Sequence, residues 1–267
     1  MKSYISYFKL KFKIGLQYRA AALAGIATQA FFGFVYVFIY TAFYESGSSN
    51  LPMEYDKLIS YLWFCQAFFA IVNLWYKDHE IINLIKTGNV AYELCRPQDI
   101  YFMWVSKIMG ERLSATLLRC FPIIILSLLL PSPYNLNLSI TFLRLVIFLG
   151  SFILSIFLMA FLTVLYHVLC LFTVDDKGIV NIFMVVADIL SGLVIPIPFF
   201  PVFMRKITNI LPFRYISDFP FRLYVGDITI KEGYIGIIVQ IVWIVILLIL
   251  GRILIKKALK NVVVQGG

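Results

Sequence analysis

The sequence predicts an all-α integral membrane protein with six transmembrane helices, and three observations carry that prediction. Of its 267 residues, 61% are hydrophobic and only 14% charged, whereas a soluble domain is about half apolar and a quarter charged. The apolar residues stand in long continuous runs rather than in strict alternation. The lysines and arginines between those runs are unevenly distributed. A lipid solvent suits this composition, because apolar faces can point outward while backbone amides are paired internally. Uninterrupted runs favour helices over a barrel, whose strands alternate.

The first segment, residues 1–19, is amphipathic. On a helical wheel Ile5, Phe8, Phe12 and Leu16 share a stripe, with Lys2, Lys9 and Lys13 together on one flank. That pattern predicts a helix lying in the membrane interface. The alternative is an N-terminal extension of the first span.

Six apolar runs follow, at residues 20–43, 58–75, 113–130, 142–172, 179–196 and 234–255. Each reaches or approaches the ~20 residues that cross a bilayer core as a helix. The first run, roughly 24 residues, exceeds the ~7–15 of a secretory signal core, so it is expected to stay as an anchor. Ala21, Gly25 and Thr28 give it a small-residue face suited to close helix packing. Trp75 and Tyr76 at the end of the second run fit an interfacial aromatic belt. The fourth run is too long for an upright crossing and should tilt or protrude. The fifth should break at Pro196-Ile197-Pro198 and Pro201, since proline cannot continue a hydrogen-bonded helix.

An even number of spans puts both termini on one face. That face would carry 16 lysines and arginines against 7 on the other, which predicts cytoplasmic termini in a multi-pass plasma-membrane protein. The whole chain reads as one transmembrane domain: 1–19 interfacial, 20–75 the first two spans, 76–112 cytoplasmic, 113–196 three spans, 197–233 external and 234–267 the last span and tail. The formal charge of +9 is therefore read as topology, not as nucleic-acid binding.

Two connections are long. The cytoplasmic one carries Lys77, Asp78, His79, Glu80, Lys86, Glu93, Arg96 and Asp99. Within it Ile81, Ile82, Leu84 and Ile85 recur at helical spacing, and Gly88-Asn89 marks a stop. The external one is rich in Pro and Phe and is expected to fold back as short re-entrant helices.

Catalytic constellations are absent. No two glycines stand five apart, so no P-loop can form. His79-Glu80 begins a zincin-like pattern, but Asn83 occupies the place of its second histidine. Cys65, Cys95, Cys120 and Cys170 are scattered, with no metal or disulfide spacing. No enzyme, no metal and no directly bound cofactor are expected. Asp188, near the middle of the fifth run, is the sharpest residue: a carboxylate there costs at least ~2.5 kcal/mol on insertion scales. It reads either as part of a substrate path with Asn181 and His167, or as a tie between helices through Asn181, Ser191 or His167. Arg144 and His167 otherwise read as interfacial groups near opposite ends of the fourth run.

The order of elements resembles the membrane subunit of type-2 ABC exporters. Two stretches strengthen the likeness. Gly88-Asn89-Val90-Ala91-Tyr92-Glu93-Leu94-Cys95-Arg96-Pro97 is similar to the G-x5-L-x-R-P stretch of one permease subfamily, with Cys95 and Gln98 where aliphatic or small residues are expected. Phe200-Pro201, Leu211-Pro212-Phe213, Phe219-Pro220 and Tyr224-Val225-Gly226 are similar to its external region. The resemblance implies a permease half that pairs with itself or a related chain, and two separate ATPase subunits that bind ATP and Mg. It also implies that those ATPases grip the helix after the second span. The coupling residues would be His79, Ile82, Ile85, Lys86, Tyr92, Glu93 and Arg96, with the apolar side entering a groove on the ATPase. Lipids, hydrophobic drugs and amphipathic peptides all suit such a path. A stand-alone secondary transporter or channel working through Asp188 is the competing reading.

Overall fold

A computed structural model describes residues 2–47, 51–74, 76–173 and 178–260. Among them the regular elements are all helical. Four helices are long and apolar enough to cross a membrane: α2 (Arg19–Glu45), α7 (Ile100–Leu129), α8 (Phe142–Thr173) and α12 (Ile230–Leu259). Their outer faces are strongly apolar, as Phe31, Phe38, Phe121, Ile153, Ile238 and Ile249 illustrate.

The amphipathic α1 (Lys2–Gln17) is a separate helix, parted from α2 at Tyr18, whose φ of −79° and ψ of 57° are not helical. It lies along the first turns of α7, where Tyr4 meets Phe102 edge-on at 6.0 Å. The inward side differs slightly from the predicted stripe. Phe8, Phe12 and Leu16 are half-buried but Ile5 is exposed, and Tyr4, Tyr7, Lys11 and Gly15 complete the contact face. A polar network with α7 shifts the register toward Lys11.

The second predicted span is broken. α3 (Tyr55–Ala67) stops at Phe68 and α4 (Phe69–Val72) adds one turn before Asn73 turns extended. Trp75 lies outside the described residues. A short, interrupted helix at this depth is sustainable because protein, not lipid, surrounds it. Ten of the α3 residues, Leu58 through Ala67, are buried. Trp63 stands edge-on to Phe34 of α2 at 5.6 Å, and its Nε1 donates to the Tyr134 carbonyl at 2.9 Å. Arg112 of α7 donates to the carbonyls of Ile71 and Asn73, supplying a cation where α4 leaves its last acceptors bare.

α7 begins well before the predicted third span. Asp99 caps it, its Oδ1 accepting from the Tyr101 amide at 2.9 Å, so residues 100–112 are the opening turns of a 30-residue helix. Gly25 of α2 faces Arg119 of α7: a Cβ there would lie 2.4 Å from the guanidinium carbon, and Arg119 donates to the Ala21 carbonyl at 3.4 Å. The small-residue face of α2 thus seats a long cation.

α8 runs unbroken for 32 residues. Its main partner is α12, whose buried Gln240 donates to the Ser151 carbonyl, Ser155 Oγ and the Tyr215 carbonyl at 3.1, 3.1 and 2.9 Å. α9 (Ile179–Ser191) ends at Gly192, before the predicted proline stop. Gly192 adopts φ +82°, and Tyr61 Oη donates to its carbonyl at 2.8 Å. The left-handed residue closes the helix, so the prolines serve the following turn.

The segment between α9 and α12 contains a 3-10 turn (Ile197–Phe199), α10 (Val202–Ile210), a second 3-10 turn (Phe213–Tyr215) and α11 (Asp218–Val225). α11 is driven into the bundle between α3 and α8. Phe64 packs on Tyr224 at 4.3 Å and on Phe221 at 5.9 Å, and Phe68 meets Phe152 at 4.8 Å. Burial of these rings explains why a Phe-rich connection folds inward. Arg144 at the start of α8 donates to the carbonyls of Leu223 and Ile228 at 3.2 and 3.1 Å, holding the turn that leaves α11.

Candidate functional site

The short helix α5 (His79–Lys86) and the turn of helix α6 (Val90–Leu94) form the candidate site. Asp78 starts α5 as its N-cap, with Oδ1 accepting from the Ile81 amide at 3.0 Å. Glu80 in the first turn and Lys86 in the last suit the helix dipole. Gly88, at φ +71°, ends the helix as predicted.

A charge network fastens α5 to its neighbours. The Lys107 side chain of α7, only 4% exposed, pairs with Asp78, with Glu80 at 3.1 Å and with Glu111 at 3.3 Å. Lys11 of α1 reaches Glu80 at 2.7 Å and Glu111 at 3.7 Å. Tyr76 donates to Glu111 at 2.5 Å, and the Arg112 guanidinium lies 4.9 Å from the Tyr76 ring centre. Tyr76 is therefore tied into this network, where the sequence suggested an aromatic belt. Burial opposes the charged form of Asp78, yet the Lys107 ammonium and the Ile81 amide hold its carboxyl below the usual range. Glu80 is also lowered: burial raises it, but the hydrogen bond from Lys11 and the charge of Lys107 prevail. Tyr7, on α1 nearby, is pushed up to about 12, by burial first and then by the Glu80 charge.

His167 of α8 completes the anchorage. The Asp78 amide donates to its Nε2 at 3.1 Å, so Nδ1 carries the proton and faces the Thr163 carbonyl at 2.7 Å. One residue, Asp78, thus receives α7 through its side chain and α8 through its backbone.

The structure turns the apolar side of α5 inward. Ile81, Ile82 and Ile85 are 1%, 5% and 7% exposed against the chain's own body, so that side is not free to enter a groove on a partner. The reason is local: the bundle offers apolar surface closer at hand than any other protein. The open face carries His79, Glu80, Asn83, Lys86 and Thr87. Tyr92, 75% exposed, and Leu94, 46% exposed, stand beside it on α6. Arg96, exposed, pairs with the half-buried Glu93 at 3.1 Å.

The residues predicted for a substrate path are distributed along the bundle. His167 and Asn181 belong to the α5 end, where Asn181 accepts from Lys77 at 2.7 Å. Asp188 lies two turns further along α9, about 10 Å by helical rise, and is buried. Its carbonyl accepts from Ser191 Oγ at 2.7 Å. Lys107, Glu111 and Lys11 escaped the sequence reading as site residues. The i,i+4 spacing of Lys107 and Glu111 behind the Asp99 cap was the available signal.

No curated protein and no solved structure matches the chain. The family model described as ABC-2 family transporter protein matches residues 32–266. A bundle with four helices long and apolar enough to cross a membrane among the described residues accords with that match: the chain belongs to the ABC-2 transporter family.

Proposed function

We propose that the chain is the permease half of an ATP-driven exporter, working as a dimer with itself or a related chain and moved by two separate ATPase subunits. The observation that carries the reading is the mounting of α5. A helix with its apolar side spent internally and its polar side open is a docking tab on a rigid bracket. His79, Lys86, Glu93 and Arg96 would make the polar contacts, and Tyr92 is the natural anchor, since exposed aromatic side chains dominate interface energetics. Ile82 and Ile85 act from beneath, by fixing the tab. ATP and Mg belong to the partner. The excess of cationic residues on the α5 side favours a cytoplasmic tab and cytoplasmic termini in the plasma membrane.

Coexpression with candidate ABC ATPase subunits from the same genome, followed by affinity capture, tests the docking surface. Charge reversal at Lys86, Glu93 and Arg96, or Tyr92→Ala, is expected to reduce capture at least tenfold. Undiminished capture by both variants removes α5 and α6 as the docking surface. The buried carboxylate of Asp188 in an apolar helix favours a second reading, ion-coupled transport without an ATPase. ATP-independent flux in vesicles containing this chain alone, lost in Asp188→Asn, would establish it in place of the exporter.

A further inference from the structure

At the α11 end a cavity of about 440 Å³ is walled by Arg205, Arg214, Arg222, Asp227 and Glu232, with Asn209 beside them. Its volume lies in the range of about 300–1,000 Å³ typical of ligand pockets. The acids are already committed. Asp227 receives Arg222 Nε at 2.6 Å. Glu232 receives the Thr229 amide and hydroxyl at 2.9 and 2.7 Å in the capping box that starts α12. Asp218, wholly buried behind the wall, is shared between Arg214 and Arg222 at 3.4 Å each, and also accepts from the Ile197 amide.

Arg214 is left with donors to spare. Its side chain is 10% exposed, and its buried Nε has no acceptor. A guanidinium has five N–H donors in a planar fork that matches phosphate or carboxylate oxygens. Asp218 engages Nη2 of Arg214, so the rest of the fork on this cavity wall is placed to meet an acceptor that arrives from outside. Arg205 on α10 adds a second, exposed cation to the same wall. With Asp218 counted behind the wall, three arginines meet three carboxylates, and Arg205 is the one of them that no carboxylate touches among the described residues.

The surroundings are apolar. Ile235 lines the cavity and is 54% exposed, and Phe203 and Ile207 of α10 are likewise exposed. We propose that this cavity binds the phosphodiester of a phospholipid headgroup. Arg214 receives it, Arg205 closes over it from α10, and the acyl chains lie along the exposed apolar flank of α12. The proposal rests on this segment lying at the outer membrane surface.

Native mass spectrometry of the full-length chain in detergent tests it, with phosphatidylglycerol, glycerol phosphate and inorganic phosphate as probes. Phosphatidylglycerol is expected to bind, and to bind about tenfold more weakly to R214K and several-fold more weakly to R205Q. R214K keeps a cation beside Asp218 but loses the fork. R205Q alters a surface residue, so it carries the test even where R214K folds poorly. Binding to R205Q equal to that of wild type overturns the proposal, as does unchanged binding to a folded R214K. Inorganic phosphate or glycerol phosphate binding as tightly as the lipid would assign the site to free phosphate and overturn the lipid headgroup. Detergent solution has no sidedness and the assay contains no ATPase, so its outcome is separable from that of the capture experiment.

Discussion

The ammonium of Lys107 and the carboxylate of Asp78 meet inside the protein, joining the first turns of α7 to the cap of α5. The pair is almost wholly withdrawn from solvent, at 4% and 2% side-chain exposure. Desolvating two such charges costs several kcal/mol each, which the contact and the surrounding hydrogen bonds must offset.

Removing only one partner should therefore be the damaging change. Lys107→Met leaves Asp78, Glu80 and Glu111 facing one another with only Lys11 to balance them. A loss of about 3–5 kcal/mol is expected, the range for breaking a buried pair from one side. The double variant Lys107→Met, Asp78→Asn should recover part of it. Thermal unfolding in detergent measures both, and a double variant no more stable than the single one would count against the pair.

The same pair predicts how stability varies with pH. Because the folded-state carboxyls of Asp78 and Glu80 are lowered, their contribution is complete above the unfolded carboxylate values of about 4. It fades as pH falls through the folded values. The difference in melting temperature between wild type and Asp78→Asn should be steady at neutral pH and shrink below about pH 4. A difference that stays constant down to acid-induced unfolding would contradict the assignment.

Inward and outward faces of the tab should separate cleanly. Ile82→Ala and Ile85→Ala remove buried methyls and should each cost about 2–4 kcal/mol. Tyr92→Ala, on an exposed side chain, should change stability by no more than about 0.5 kcal/mol while weakening ATPase capture. Equal stability losses at Ile85 and Tyr92 would mean that α5 and α6 are not oriented as described.

Gly192 offers a test of the other end. Its backbone is left-handed at φ +82°, and a Cβ there would approach Asp218 Cβ to 2.9 Å. Gly192→Ala should cost about 1–3 kcal/mol through strain alone. A melting temperature indistinguishable from wild type would show that the turn after α9 is not held.

Hydropathy alone disclosed the long helices, because a lipid-facing surface writes itself as an unbroken apolar run. It misjudged what lies inside. α3 and α4 read as a plain span because Leu58–Trp63 and Phe69–Val72 are apolar, but their burial among protein lets the helix stop at Phe68. The extent of α7 was hidden by Lys107, Glu111 and Arg112, charges that look like loop residues until their partners on α1, α4 and the Tyr76–Glu80 stretch are known. For the candidate site, the periodicity of Ile81, Ile82 and Ile85 and the Gly88 stop were legible, as was the helix they define. Which way that apolar stripe faces was not, since nothing local distinguishes a chain's own core from a partner's groove.

His167, near one end of α8 and oriented there by the Thr163 carbonyl, accepts from the amide of Asp78 at the start of α5, while Arg144, near the other end, steadies the chain leaving α11. Twenty-three positions of continuous helix separate Arg144 from His167, about 35 Å of axis. α8 contains no proline and no break along that length. A displacement imposed at the tab has no joint in α8 in which to be absorbed. Under the proposed docking of an ATPase at α5, a stiff rod of this kind would carry the movement to the arginine-lined chamber at the far end, which makes α8 the lever to test.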